Sequence, residues 1–161
     1  MKITILAVGK IKERFFEDAV KEYSKRLSRY CVLTIEEVPD EPVPEKASKA
    51  QSDQILQKEG AKLEKVLQRY PGSYVIALAI DGREYDSVAF SSFLSGLQVS
   101  GNSHLVFVIG GSTGLSAKIL ERCDAKVSFS RMTFPHQLMR VILLEQIYRA
   151  MRIAHGEPYH K

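Results

Sequence analysis

The apolar residues of this chain are concentrated in five short runs, each followed by a longer stretch in which apolar positions recur at helical spacing. The runs are Lys2–Val8, Val32–Val38, Tyr74–Ile80, Leu105–Ile109 and Ala125–Ser130. Short runs rich in Val, Ile and Leu are typical of strands that are buried on both faces of a parallel sheet. We therefore predict five strands, the third of which is closed by the turn-forming pair Asp81-Gly82.

The stretches between and after these runs predict five helices. Their expected bounds are Glu13–Tyr30, Glu45–Tyr70 with an interruption near Gly60, a helix capped by Asp86 or Ser87 that reaches Leu97, Ser116–Arg122, and His136–His155. Strands that alternate with helices form an α/β fold, with a mainly parallel sheet and helices on both faces. The length of 161 residues indicates a single domain, 1–161.

Three predicted loops meet at the carboxyl edge of such a sheet, where open α/β sheets bind their ligands. They are Leu78–Gly82, Gly110–Gly114 and Phe129–Phe134. Gly110 and Gly111 let the backbone turn sharply and approach a ligand without an intervening Cβ. The segment lacks both the Lys of a P-loop and the Gly-x-Gly-x-x-Gly spacing, so it does not indicate a phosphate cradle. By spacing alone, a ligand loop and a tight turn into the Ser116-capped helix fit equally well.

The last predicted helix is apolar around most of its circumference. Its apolar residues are Leu138, Met139, Val141, Ile142, Leu143, Leu144, Ile147, Tyr148, Met151 and Ile153. One side of such a helix covers the sheet, and the other side needs a second cover. A symmetric partner is the simplest cover, which predicts a homodimer. The alternative is packing under another helix of the same chain.

Basic residues form rows on two helices. The first row is Lys21, Lys25 and Arg29, and the second is Lys58, Lys62, Lys65 and Arg69, with Glu59 and Glu64 nearby. We interpret both rows as solvated faces, with an RNA-facing patch as the alternative for the first. The net charge of +4 and the pI of about 9.0 favour a polyanionic partner without requiring one.

Composition narrows the class of protein further. No apolar run reaches membrane-spanning length, and the apolar start is too short for a signal peptide, so we expect a cytoplasmic protein without a membrane partner. The two cysteines form no CxxC motif and are expected to be buried thiols. The four histidines show no metal-ligand spacing, so no metal cofactor is expected.

Four motifs in the same order resemble the large-subunit rRNA methyltransferase H family, a group of SPOUT-class enzymes. They are Ile109–Ser116, Ser128–His136, Arg140–Arg149 and Pro158–Lys161. The resemblance implies a deep trefoil knot near the C-terminus and a homodimer. It also implies transfer of a methyl group from S-adenosylmethionine to N3 of a pseudouridine in the large-subunit (23S) rRNA of the assembled ribosome.

The resemblance also assigns residues to this site. The methyl donor would contact Leu78, Gly110, Phe129, Ser130, Arg131, Met132, Thr133 and Phe134. His160 would accept the N3 proton, and Tyr159 would stack on the base or orient it. Arg140 would contact RNA or hold a buried helix end, while His136 would shape the pocket. Without the resemblance, a disordered tail is the simpler interpretation of the last residues, which should add little to the core.

One residue pair differs from the motif of the family. The pair Ser112-Thr113 differs from the Pro-Glu of some family members, and we expect it on the rim of the pocket. Two other classes also fit the pattern: a non-catalytic RNA- or ribosome-binding module with this fold, and a small-molecule methyltransferase or other nucleotide-binding enzyme. Methyl-donor binding excludes the first of these, and a steep salt dependence of RNA binding excludes the second.

Overall fold

The structure is a computed structural model that describes residues 1–161. Its strands are β1 (Lys2–Val8), β2 (Val32–Val38), β3 (Tyr74–Glu84), β4 (His104–Ile109) and β5 (Ala125–Ser128). Its helices are α1 (Arg14–Leu27), α2 (Lys49–Leu67), α3 (Ser87–Val99), α4 (Ala117–Arg122) and α5 (His136–Ala154). All ten elements correspond to predicted ones, although several begin or end at other residues.

The five strands form one sheet in the order β2-β1-β4-β3-β5, and every neighbouring pair is parallel. In register, Ile5 of β1 lies beside Ile35 of β2 and Phe107 of β4. Because all strands point the same way, their carboxyl ends and the loops that follow lie along one edge. The α/β class with a parallel sheet is therefore confirmed.

Helices cover both faces of the sheet, as predicted. Alternate strand residues such as Ile5 and Phe107 pack with α1, α3 and α5 in the larger core cluster. Their neighbours, among them Leu6 and Val106, pack with α2 and α4 in a second cluster. This alternation is why the central strands β1 and β4 are apolar along almost their whole length, since their residues face one of two cores, whereas the edge strand β2 exposes Val32 and Thr34.

Helix α5 lies against both α1 and α3 of its own chain. The Ser91 hydroxyl of α3 donates to the Ala150 carbonyl at 2.7 Å, and the rings of Tyr23 in α1 and Tyr148 lie 6.4 Å apart. Packing within the chain, the alternative to a partner, thus accounts for much of the apolar surface of α5. Val141 and Ile142 remain only half-buried, and the homodimer stays a prediction.

The predicted end of the third strand is wrong. β3 continues beyond Ile80 to Glu84, and after an irregularity it pairs again with β5, Arg83 beside Val127. Asp81 and Gly82 are turn-forming residues, but here they lie inside β3. A Cβ at Gly82 would lie 2.7 Å from backbone atoms of Val127, so the glycine lets β3 and β5 approach each other closely. β5 itself ends at Ser128 instead of Ser130, and the trefoil knot implied by the resemblance stays a prediction.

Helix α2 runs through Gly60 without the predicted interruption. Gly60 is buried there, and a Cβ would lie 2.8 Å from the Ser116 hydroxyl at the start of α4. The glycine therefore serves close helix packing and does not break the helix. The helix also starts at Lys49, after a capping box formed by Ser48 and Gln51, and not at Glu45.

The C-terminal residues are not a free tail, which corrects the expectation that they add little to the core. Tyr159 packs edge-on against Tyr148 with ring centroids 4.9 Å apart, and its hydroxyl donates to Glu145 at 3.1 Å. Tyr30 donates a hydrogen bond to Glu157, whose carboxylate also pairs with Arg152. The chain after α5 thus folds back over α5 and α1.

None of the helices is long and apolar enough to cross a membrane.

Candidate functional site

A cavity of about 650 Å³ opens at the carboxyl edge of β3, β4 and β5. Two of the predicted loops, Gly110–Gly114 and Phe129–Phe134, form it together with Leu78–Ile80, and the start of α5 is a further wall. The prediction of a loop at Leu78–Gly82 is wrong, because these residues lie within β3. Its lining includes Leu78, Ala79, Ile80, Ile109, Gly110, Gly111, Ser112, Thr113, Gly114, Phe129, Ser130, Met132, Thr133, Phe134, Pro135, His136 and Met139. Seven of the eight predicted donor-binding residues are among these, and Arg131 is exposed beside them without lining the cavity. The structure therefore brings together residues that lie far apart in the sequence.

The glycines after β4 allow the sharp backbone turn that the sequence predicts. A Cβ at Gly110 would lie 2.5 Å from the Gly114 carbonyl oxygen, so its absence lets the loop close on itself. Gly114 has a φ of +84° and donates from its N–H to the Gly111 carbonyl at 3.0 Å. The missing Cβ of Gly111 points to Val8 and Glu59. The two adjacent glycines thus shape the loop, and their contact with a ligand stays a prediction.

The segment between β5 and α5 offers both apolar side chains and a fixed turn. The Ser130 hydroxyl accepts a hydrogen bond from the Met132 N–H at 2.9 Å. Met132 is 75% exposed and Ile80, across the cavity, is 56% exposed, which is unusual for large apolar side chains. Phe129 is anchored against Phe90, with ring centroids 5.9 Å apart. This lining suits a ligand with an apolar or aromatic body.

Two buried polar atoms of the cavity wall have no hydrogen-bond partner in the protein. They are Oγ1 of Thr113 and Nδ1 of His136. Burial, followed by the charge of Arg140, lowers the pKa of His136, so its ring is neutral near pH 7. Buried polar groups are almost always paired, so these two atoms indicate a polar ligand in the cavity. Thr113 is thus part of the wall and not only of the rim.

Arg140 lies apart from the cavity and is 1% exposed. Its guanidinium donates to Glu37 at 2.5 Å and to the Gly9 carbonyl at 3.0 Å. Of its two predicted roles, the structure therefore favours holding a buried helix end, because the side chain ties α5 to the ends of β1 and β2. Contact with RNA would need an exposed guanidinium.

The two tail residues lie in different surroundings. His160 lines a second cavity of about 570 Å³, which shares a wall with the first through Phe129 and Phe134. Its Nδ1 lies 3.3 Å from the Arg149 guanidinium. Tyr159 lines neither cavity, and burial together with the bond to Glu145 raises its pKa to about 12.

Glu59 is a site residue that the sequence did not reveal. It was expected on the charged face of α2, but it is 3% exposed and lies behind Gly111. Its Oε2 accepts from the Glu41 N–H at 3.0 Å, while Oε1 has no partner. Because Glu59 lies among lysines in the sequence, no local pattern distinguishes it from a surface residue.

No group of three or more His, Cys, Asp or Glu side chains is arranged to hold a metal ion.

Solved structures with a similar fold share little sequence identity with this chain. A methylase family protein of Haemophilus influenzae superposes with a TM-score of 0.57 at 11% identity, covering 99% of this chain and 70% of the other. The A. aeolicus TrmH/SpoU tRNA modifying enzyme gives 0.52 at 15% identity, covering 96% and 77%. A Legionella pneumophila protein solved with bound SAM gives 0.51 at 11% identity, covering 96% and 66%. At these identities the likeness establishes the fold alone.

Sequence relatives are much closer and match the whole chain. The family model described as "predicted SPOUT methyltransferase" matches residues 1–160. The ribosomal RNA large subunit methyltransferase H of Clostridium tetani is 55% identical over 161 residues, and that of Carboxydothermus hydrogenoformans is 54% identical over 162, each match covering both chains completely. The chain therefore belongs to the ribosomal RNA large subunit methyltransferase H family of SPOUT methyltransferases.

Proposed function

We propose that this protein transfers a methyl group from S-adenosylmethionine to N3 of a pseudouridine in the 23S rRNA of the assembled ribosome. The observation that carries the proposal is the cavity that is lined by the two loops and by Leu78–Ile80 of β3 and that holds the unpartnered Thr113 and His136 atoms. Family membership supports methyl transfer to large-subunit rRNA. The SAM-bound Legionella protein with this fold supports the donor.

The cavity fits the proposed donor in size and chemistry. Its volume of about 650 Å³ lies within the range of pockets for small molecules. Leu78, Phe129 and Phe134 would contact the apolar parts of the donor, and Thr113 Oγ1 and His136 Nδ1 would bind its polar groups. When bound, the donor supplies a methyl group that is made electrophilic by its sulfonium. Arg131, beside this wall, would contact the donor only at its exposed side.

The proposed reaction needs a proton acceptor as well as alignment. An N3–CH₃ bond forms while the S–CH₃ bond breaks, and the N3 proton passes to a base. We assign this base to the imidazole of His160, which lines the cavity next to the donor pocket. Tyr159 orients the chain that carries His160 through its contacts with Tyr148 and Glu145. Arg140 ties α5, whose start forms part of the cavity wall, to the Gly9 carbonyl.

Two further properties belong to the same proposal. The protein would act as a homodimer through the half-buried side of α5, which carries Val141 and Ile142. It would act in the cytoplasm, where assembled ribosomes are found. No metal takes part in the proposed step.

Ribosomes from a strain that lacks the enzyme provide the direct test. Purified protein and labelled donor should introduce one methyl group into 23S rRNA, and mass spectrometry of its nucleosides should identify 3-methylpseudouridine. Free 23S rRNA and isolated large subunits serve as comparison substrates. A methyl group at another atom or in another RNA, or no transfer despite donor binding, would overturn the proposal.

A further inference from the structure

The loop between β1 and α1, together with the first residue of α1, carries exposed basic residues that have no carboxylate partner. They are Lys10, Lys12 and Arg14. By contrast, Lys21 pairs with Glu17 at 2.9 Å and Arg29 with Glu157 at 3.5 Å. The basic row predicted on α1 is thus partly neutralised, whereas this loop keeps its charges. Unneutralised cations grouped at one place are available for a polyanion.

The backbone of this loop is fixed by hydrogen bonds to the surrounding elements. The Ile11 N–H donates to Glu37 at 3.3 Å, and the Lys12 N–H donates to the Gln137 side chain at 2.9 Å. Gln137 also accepts from the Glu13 N–H at 3.4 Å. The lysine side chains therefore project from a rigid base, which lowers the ordering cost of binding.

The same loop lies directly behind the wall of the donor pocket. A Cβ at Gly9 would lie 3.0 Å from Cε1 of His136, which lines the cavity. The Lys12 charge also reaches His136, where it adds to burial and Arg140 in lowering the pKa, while the exposed Asp40 acts in the opposite direction. On the segment between β5 and α5, Arg131 is a further exposed basic residue without a salt bridge, next to the cavity-lining Ser130 and Met132. Lys12 and Arg131 thus lie close to residues that line the cavity.

We infer that Lys10 and Lys12 of this loop, with Arg14 at the start of α1, form an RNA-docking surface that binds backbone phosphates near the nucleotide to be methylated. The inference rests on the proposed function, which supplies the RNA and the position of the reacting base. Phosphate contacts fix the register of a nucleic acid without reading its sequence. Glu13 is the only carboxylate within the loop, and nearby Glu37 is already paired with Arg140.

A pair of double variants separates this surface from the overall charge. Lys10→Gln with Lys12→Gln removes two charges of the loop, and Lys2→Gln with Lys25→Gln removes two exposed, unpaired lysines elsewhere on β1 and α1. Each variant changes the formal net charge from +4 to +2. Binding to ribosomes that lack the modification is measured between about 50 and 200 mM salt, together with donor affinity and melting temperature.

We expect the loop variant to lose roughly 10- to 100-fold in ribosome affinity at low salt, and its salt slope to decrease by about two. The control pair should bind nearly as the wild type does, and donor affinity should be unchanged in both. If the loop variant is less stable, Lys10→Arg with Lys12→Arg keeps the charges and should restore binding. Equal losses in both pairs would overturn the inference, whereas wild-type protein that neither binds nor methylates ribosomes would overturn the proposed function itself.

Discussion

The carboxylate of Glu59 lies directly behind Gly111, and a Cβ at that glycine would be 3.3 Å from both of its oxygens. Through its bond to the Glu41 N–H, the same carboxylate also holds the proline-rich segment that follows β2. Burial raises the pKa of Glu59 above its ordinary value of 4.5. One buried acid thus connects α2, this segment and the loop of the donor pocket.

Glu59→Gln should retain the shape of the side chain and remove its titratable carboxyl group. In the wild type the folded state keeps the proton at pH values where the unfolded chain has lost it, so the free energy of unfolding falls as pH rises above 4.5. Denaturant unfolding at several pH values should show that this fall is absent in Glu59→Gln. Glu59→Ala should cost about 1–3 kcal/mol because it leaves the Glu41 N–H without a partner. An identical pH dependence in wild type and Glu59→Gln would contradict the assignment.

Gly110→Ala should weaken donor binding by at least about tenfold, because its Cβ would collide with the Gly114 carbonyl and open the loop. Wild-type protein with donor at about 100 times its Kd should gain about 2.7 kcal/mol of stability, and this gain should shrink in the variant. Calorimetric titration measures the affinity directly. Gly96→Ala in α3 is the control, since nothing lies within 4 Å of its Cβ. Unchanged donor affinity in Gly110→Ala would show that the closed loop is not required.

His136 should make the protein less stable in mild acid. Its pKa is lowered by burial, so the unfolded chain binds a proton more readily than the folded one. The free energy of unfolding should therefore decrease as pH falls from 6.5 towards the lower folded-state pKa. His104 is shifted in the same direction, also by burial. The slope of the free energy of unfolding against pH, measured by denaturant unfolding, should decrease in His136→Gln and decrease again when His104→Gln is added. If both substitutions leave this slope unchanged, the burial of these rings is contradicted.

Removing residues 159–161 should reduce both stability and methylation. The loss of the Tyr159 ring from its contact with Tyr148, and of its bond to Glu145, should cost about 1–3 kcal/mol. For a chain of this length, about 1 kcal/mol changes Tm by roughly 2–4 °C. His160→Gln is the matched variant, because it retains Tyr159. It should melt like the wild type and lose methylation activity with an altered pH–rate profile; full activity would place the proton acceptor elsewhere.

The half-buried side of α5 should be covered in solution by a second copy of the chain. Light scattering behind a sizing column should give about twice the 18.1 kDa of one chain, and the value should persist on dilution through the micromolar range. A monomer that binds donor normally would show that α1 and α3 are sufficient cover.

The sequence predicted those features that depend on local patterns. The five apolar runs identify the strands, and Ser116 and Asp86 cap the predicted helices by accepting from Ile119 and Ala89. Features that depend on distant partners could not be predicted. Asp81-Gly82 has turn chemistry, and only the pairing with β5 makes it part of a strand.

The candidate site shows the same division. The glycine-rich loop and the apolar segment around Phe129 were found because both follow apolar strands. Glu59 was missed because its buried position depends on Gly111, which lies far along the chain. The packing of Tyr159 was missed for the same reason, since a short polar terminus has no pattern that indicates its contact with Tyr148.

The bond between Arg140 and the Gly9 carbonyl also has a consequence for biosynthesis. Gly9 and Arg140 are 131 residues apart in the sequence, so the ribosome makes β1 long before α5, yet these two elements are neighbours in the folded protein. A nascent chain that has not released α5 lacks Arg140 and His136. It therefore has neither this wall of the cavity nor the partner for the end of its first strand. The proposed donor pocket can be completed only after α5 has been made.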